Sequence, residues 1–301
     1  MAKGSIRRYT LIYEKVDSGN FPSFESIRGF LNKHEMDVSD RTIQRDIEQI
    51  RKDFGVEILY DREKNGYYIN PNKSLGKFSF PHFLEIANTA ELLTESLKES
   101  SNSLEHISFD SPVELSGIEY LKPLLFAIKN HRKITFKHKN FITEKQTSHN
   151  MQPYLLKQYQ NRWYLIGQID GMKEFSAYGL ESLSDLEVRE QSFKPDKRMG
   201  HPKTLFDKIV GLTYSIDQSE EILLALTPLQ CKYVKSIPLH SSQKIVQETA
   251  DECLVSLHLI PNYEFKQKIM MMGEQVKVIE PSWLAEDVRL SLEAALKNYE
   301  N

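Results

Sequence analysis

Between residues 39 and 52 the chain carries groups suited to reading a polyanionic duplex. At about 100° per residue, Ile43, Ile47 and Ile50 share one side of a helix, while Arg41, Arg45 and Lys52 fall on the other with Thr42, Glu48 and Gln49 flanking. A helix lying in a major groove needs donors near its N-terminus that reach base edges, and cations and small hydroxyls for phosphate. Ser39, Arg41, Thr42, Gln44 and Arg45 are of those types and stand at that end. Arg62 and Lys64 flank Glu63 just before an Asn65-Gly66 turn, where they would meet backbone phosphate beside such a helix. The bland alternative is a helical bundle with a solvated charged face. Helix spacing, cap, stop and turn all agree with the nucleic-acid reading.

A second charged feature runs from Tyr120 to Arg162, with nine Lys or Arg against the single acid Glu144, a net charge of +8 in a chain whose overall charge is -3. Two readings stand for it: a sheet edge whose lysines discourage strand pairing, or a site for an anion. Other chemistry finds no support. The chain has no Gly-x4-Gly-Lys-Ser/Thr or Gly-x-Gly-x-x-Gly phosphate loop, no Gly-x-Ser-x-Gly elbow and no His-Glu-x-x-His. The expectation is a protein that is not an enzyme and that carries no metal and no cofactor. Cys231 and Cys253 are too few for a disulfide framework and form no Cys-x-x-Cys pair, so both read as buried fillers.

The elements that must position these groups follow from periodicity and punctuation. Ile6, Tyr9, Ile12, Tyr13 and Val16 keep helical spacing, as do Phe24, Ile27 and Leu31 behind a Ser23 cap. Ser39 caps the third helix and Gly55 stops it. Val56, Ile58 and Tyr60 then alternate, and Tyr67 to Ile69 return after the Asn65-Gly66 turn. Residues 71–80 read as a linker, Pro81 to Ser100 as a helix, Ser101 to Ser111 as a loop and Ile118 to His131 as a second helix. From 133 to 192 short strands dominate, broken at Gln160-Asn161 and Asp170-Gly171, as a small curved barrel requires. The last third reads as strand Glu221 to Leu226, helix Pro228 to Ile237, strands Lys244 to Thr249 and Cys253 to Ile260, helix Tyr263 to Met272 and strand Val276 to Ile279, closed by a helix from Ser282 to Tyr299. That βαββαβ order is the split βαβ arrangement.

With 301 residues, 40% hydrophobic and 27% charged, the chain can build several cores, which excludes a disordered or collagen-like class. No apolar run approaches the ~20 residues of a membrane span, and Met1 to Arg8 lack a signal peptide's apolar stretch, so a cytoplasmic protein without membrane partners is expected.

Three blocks resemble a known family. Val38 to Gly55 resembles the recognition helix of DeoR-like winged helix-turn-helix regulators, and Trp163-Tyr164-Leu165 within Pro153 to Gly167 matches the tripeptide that names the WYL domain, an Sm-like small β-barrel. Pro238 to Gln243, Pro261 to Glu264 and Ile279 to Pro281 are similar to the C-terminal extension of WYL regulators. The resemblance implies a multidomain α+β chain: a winged helix-turn-helix over 1–70, a linker and helical connector over 71–131, a WYL barrel over 132–192 and a ferredoxin-like extension over 193–301.

It also implies a function. Such proteins are transcription regulators, usually homodimers on a double-stranded operator, acting as repressors at their own or a neighbouring operon, such as a phage-defence or DNA-damage-response locus. Their barrel is thought to sense an anionic effector, a nucleotide or oligonucleotide. Carried over by position, His149, Gln152, Tyr154, Lys157, Arg162, Tyr164 and Tyr178 fall on the strands that line the family's pocket, and Ser182 follows them in the next block. There this chain departs from the family: Gly179 and Ser182 stand at two positions that are commonly arginine. A rival reading is a nucleic-acid-processing accessory factor that grips single strands or RNA through the basic barrel.

Overall fold

The computed structural model describes residues 4–71, 73–74, 79–99, 116–141, 143–196, 200, 202–213 and 218–300. It forms two compact units, Met1–Asp110 and Ser111–Asn301.

In the first unit α1 (Ser5–Asp17), α2 (Phe24–Lys33) and α3 (Asp40–Phe54) are followed by an antiparallel hairpin of β1 (Ile58–Asp61) and β2 (Gly66–Ile69) and then by α4 (Ser79–Glu99). Each boundary has a local cause. Ser23 Oγ accepts from Ser26 N at 3.2 Å and Ser39 Oγ from Thr42 N at 3.3 Å, so each hydroxyl satisfies one orphan donor of its helix. Gly55 ends α3 at φ 64°, a left-handed conformation that favours glycine. Gly66 is needed for a different reason: a Cβ there would lie 1.9 Å from the Phe21 carbonyl oxygen, so the hairpin seats on the loop before α2 only without a side chain. Ile12, Ile27, Leu31, Ile43, Ile50, Val56 and Ile58 make one core, which Phe80 and Leu84 of α4 complete. Burial of each large aliphatic contributes about 1.5–3 kcal/mol. The loop expected over Ser101 to Ser111 lies outside the described residues.

The second unit begins with α5 (Leu121–Lys129), which lays Leu124 and Ala127 onto Ile134, Phe136, Met151 and Leu165 of a five-stranded antiparallel sheet. The strands are β3 (Arg132–Lys139), β4 (Gln146–Tyr159), β5 (Arg162–Ile169), β6 (Phe175–Gly179) and β7 (Leu183–Ser192), in the order β6-β5-β4-β3-β7. Register shifts in the β3/β7 and β4/β5 ladders bend the sheet. It does not close, which corrects the expected barrel: β6 and β7 are joined by a single 3-10 turn, Leu180–Ser182, and both remain edges. That turn hands the chain straight to the far side of β3, where Leu183 stands opposite His138.

The chain then covers the sheet's other face with α6 (Pro202–Phe206) and Ile209, packed on Tyr154, Ile166, Phe175 and Phe193. The remaining elements are β8 (Glu220–Leu226), α7 (Pro228–Ser236), β9 (Lys244–Glu248), β10 (Cys253–Leu259), α8 (Tyr263–Met271), β11 (Val276–Glu280) and α9 (Ser282–Lys297). Their βαββαβ order is the one read from the sequence, and the strands pair as β11-β8-β10-β9, all antiparallel. Cys231 and Cys253 are fully buried here, but they are not separate fillers: they form a disulfide across 22 residues with Cα atoms 6.0 Å apart. Packing of α7 over the start of β10 brings them together, a long-range contact that no short spacing announces.

Candidate nucleic-acid interface and five-stranded sheet

On α3 the two sides separate as their spacing requires. Ile43, Ile47 and Ile50 are buried, whereas Ser39, Arg41, Gln44, Arg45 and Lys52 are exposed and Thr42 is half-buried. Arg41 makes no ion pair among the described residues. Lys52 does, holding Glu48 at 2.6 Å one turn back, and that bond lowers the pKa of the Glu48 carboxyl. Its charge is therefore already shared. Ser39 and Thr42 face each other, with hydroxyl oxygens 3.0 Å apart. The expected result of Ser39→Ala is a loss of about 1 kcal/mol from the first unit and fraying of the turn that carries Arg41, read as faster amide exchange at Thr42 and Ile43.

What holds α3 in place is a pair the sequence reading did not find. Arg8 of α1 donates through Nε to Asp46 Oδ2 at 2.7 Å and through Nη2 to Oδ1 at 3.4 Å, and the two side chains are only 9% and 1% exposed. Tyr9 donates its hydroxyl to Gln49 Oε1 at 2.6 Å one turn further along. A signal existed: Asp46 interrupts the apolar side between Ile43, Ile47 and Ile50, and an acid there requires a buried cation.

At the hairpin, Asp61 Oδ1 accepts from the backbone of Glu63 at 2.9 Å and Lys64 at 3.0 Å, and Asn65 adopts φ 52°. This tight tip presents Arg62 to solvent. Lys64 instead lies over the Phe21 ring, Nζ 3.9 Å from its centroid.

In the five-stranded sheet the residues expected in one pocket divide between two faces. His149 and Tyr178 sit together on the α5 side. Tyr178 is 5.3 Å, ring to ring, from His149, 4.9 Å from His138 and 5.2 Å from Phe136. Tyr154, Lys157 and Tyr164 belong to the opposite face. The Tyr154 ring is buried against Phe175 and Phe193, Tyr164 packs in the same cluster, and Lys157 Nζ lies 5.3 Å from the Phe206 centroid. Burial lowers the Lys157 ammonium pKa, with the Asp207 and Glu264 carboxylates countering. Gln152 stands opposite Gln168 in the ladder. Arg162 is half-exposed and paired with Glu181 at 3.5 Å, and Ser182 is buried with its hydroxyl donated to Gly179 O at 2.6 Å.

An open groove of about 610 Å³ adjoins His149. Phe136, Lys137, Ser148, Asp185 and Arg189 help to line it. Its cations already have partners, Lys137 with Asp185 at 2.7 Å and Arg189 with Glu187 at 2.8 Å. An anion entering there would exchange with carboxylates. Lys137 and Ser148 alternate along β3 and β4 with Phe136 and His149, so the groove lies on the side of the sheet away from the Tyr178 ring cluster. Lys137, Arg189 and His138 were absent from the sequence-based set. Among the described residues no group of three or more His, Cys, Asp or Glu is placed to hold a metal ion.

Burial lowers the pKa of both His138 and His149, and the neighbouring His138 lowers that of His149 further. The folded protein therefore binds these protons more weakly than the unfolded chain, whose imidazoles titrate near 6.5. This contribution to stability is complete above that pH and is lost as pH falls through it toward the folded values. The thermal midpoint of the second unit is expected to drop between pH 7.5 and 5.5. A His138→Phe/His149→Phe variant should flatten that slope in part, the residue belonging to His240, whose pKa burial also lowers; an unchanged slope would refute this.

A family model for the WYL domain matches residues 119–188, and one for the WCX domain matches residues 218–296. The solved proteasome accessory factor B/C (PafBC) of Arthrobacter aurescens is similar at 17% identity and a TM-score of 0.32, covering 97% of this chain and 47% of its own. The chain thus spans about half the length of that protein. A CRISPR Cas-related protein is similar at 14% identity and a TM-score of 0.40, covering 98% of this chain and 85% of its own. None of the curated proteins matches. Among the described residues no helix is long and apolar enough to cross a membrane.

Proposed function

We propose, from a chain that carries a WYL domain followed by a WCX domain, that the protein is a sequence-specific DNA-binding transcription regulator, a repressor that acts as a homodimer. Residues 1–70 serve as a winged helix-turn-helix with α3 as the recognition helix, 71–131 as connector, 132–192 as an Sm-like sensor sheet and 193–301 as a ferredoxin-like extension. The observation that carries this reading is the exposed row Arg41, Gln44 and Arg45 on a helix anchored from behind by the buried Arg8–Asp46 pair. Groove recognition needs donors on a rigid element, and this arrangement supplies both. Arg62 at the hairpin tip supplies a phosphate contact beside it.

The effector is an anion, a nucleotide or oligonucleotide, held in the groove over Thr135, Ser148 and Asn150 with Lys137 and Arg189 turning to its phosphate. Lys157 and Tyr164, packed against Phe206 and its cluster, act through the C-terminal part of the unit instead. Binding of the effector favours one arrangement of the dimer and so changes operator affinity.

The test is anisotropy of a labelled duplex and of a matching single strand across a salt series. A regulator prefers the duplex and loses affinity steeply with salt. A preference for the single strand without sequence dependence would overturn the reading in favour of an accessory factor.

A further inference from the structure

Helix α7 is lightly held for an element that carries a covalent bond. With nine residues it is shorter than an isolated helix needs in water, so its stability comes from what it touches. Only Cys231 and Val234 of its side chains are buried, while Leu229 and Tyr233 face solvent, 56% and 61% exposed. Thr227 Oγ1 caps it by accepting from Gln230 N at 3.3 Å, Gln243 Nε2 donates to Val234 O at 2.7 Å, and Lys235 pairs with Glu248 at 2.5 Å on the surface. The bond from Cys231 to Cys253 is therefore a large share of the hold on α7.

The two sulfurs differ in how they can be reached. Both are fully buried, so a reagent meets them only when α7 lifts. Cys231 then moves out with its helix. Cys253 stays behind as the first residue of β10, paired with Leu226 of β8 on one side and Glu248 of β9 on the other. A thiol that becomes accessible beside one that stays fixed is the arrangement of an attacking and a resolving cysteine. No third cysteine competes, since the chain has only these two. The cellular role rests on the DNA-binding reading: a protein that works on DNA shares a compartment whose thiol pools keep cysteines reduced, and a disulfide there is a redox-linked bond, not a permanent staple.

We propose that Cys231 and Cys253 form a reversible, peroxide-sensitive bond that locks α7 onto the four-stranded sheet when oxidised and leaves it free to open when reduced. In the reduced protein the Cys231 thiolate attacks one oxygen of hydrogen peroxide. That oxygen stays on sulfur as a sulfenic acid, and the other takes up a proton and leaves as water. Cys253 then attacks the Cys231 sulfur, closes the disulfide and expels the second water. The two thiols lose two hydrogens and two sulfurs are oxidised, while one peroxide is reduced to two waters. Reduced glutathione reverses the step through a mixed disulfide at Cys231, and two of its thiols leave as glutathione disulfide.

Counting alkylated thiols by intact mass in the full chain, without DNA, tests this. Protein reduced with dithiothreitol and freed of it is either left or treated with hydrogen peroxide, then unfolded in guanidinium with N-ethylmaleimide. Two labels are expected on the reduced protein. None is expected after peroxide, at a mass lighter by two hydrogens and with no added oxygen, and two again once the folded, oxidised protein has equilibrated with reduced glutathione. Amide exchange in α7 should be about a hundredfold faster in the reduced protein, with exchange in β3, β4 and β5 unchanged. Cys231→Ala should show the faster exchange under both conditions; if it misfolds, the wild-type comparison carries the test. Two labels after peroxide, a bond that glutathione leaves intact in the folded protein, or equal exchange of α7 in the two states would overturn the proposal. None of these readings involves DNA, so failure of the bond and failure of duplex binding are told apart.

Discussion

Asp46→Ala should cost the first unit about 3–5 kcal/mol, because the Arg8 guanidinium, only 9% exposed, is left without its counter-ion. A domain's whole stability is about 5–15 kcal/mol, so the loss is a large fraction of it and the unit should open far more often. The probe matters. Both tryptophans, Trp163 and Trp283, lie in the second unit, so their fluorescence is expected to stay native while amide exchange in α1 and α3 accelerates by two orders of magnitude or more. Replacing both partners, Arg8→Met with Asp46→Leu, should recover most of the loss, since it leaves no lone buried charge. Unchanged exchange in Asp46→Ala would show that the pair does not anchor α3.

Arg41→Ala/Arg45→Ala should lower duplex affinity at least about a hundredfold while the fold is retained, since both side chains are exposed and neither is in the core. The salt dependence adds a second readout. Two lost cations near the phosphates reduce the slope of log K against log salt by up to about two, and loss of sequence preference marks whichever arginine reads a base. Lys52→Ala should do much less, because Lys52 already shares its charge with Glu48. Full affinity in the double variant would remove α3 from the interface.

These expectations draw on different depths of the fold, and not all of them were visible in the residue order. Helix ends were legible because their causes are local: Ser23, Ser39 and Gly55 act within one turn of their own position. The βαββαβ order was legible because its strands alternate and its helices are punctuated by Thr227-Pro228 and Asn262, both of which cap through their side chains. Contacts distant in sequence were not. Cys231 and Cys253 meet only because α7 folds over β10, and Arg8 reaches Asp46 across 38 residues.

The five-stranded sheet shows the sharpest difference between pattern and structure. His149 and Lys157 are eight residues apart on one strand, and strict alternation places them on one face. A bulge at Tyr154, between the Pro153–Gly167 and Leu155–Ile166 pairs, adds one residue to β4 and turns everything after it over. Lys157 and Tyr164 consequently face Phe206 and the C-terminal part of the unit, while His149 stays beside Phe136 and Tyr178. A single inserted residue leaves no signature in a pattern of apolar and polar positions, so a pocket carried over by position from the family resemblance merged the two faces. The open edges of β6 and β7 have a similar origin, since closure depends on how far five strands curl.

Reading of base sequence in duplex DNA by α3 is open to a single anisotropy experiment at one fixed salt concentration with two labelled duplexes, one from the region upstream of the protein's own coding sequence and one a scramble of equal length and composition. The expected result is a native site bound at least about a thousandfold more tightly than the scramble. Equal affinity for the two would refute base reading and leave the basic face of α3 as a general anchor for phosphate.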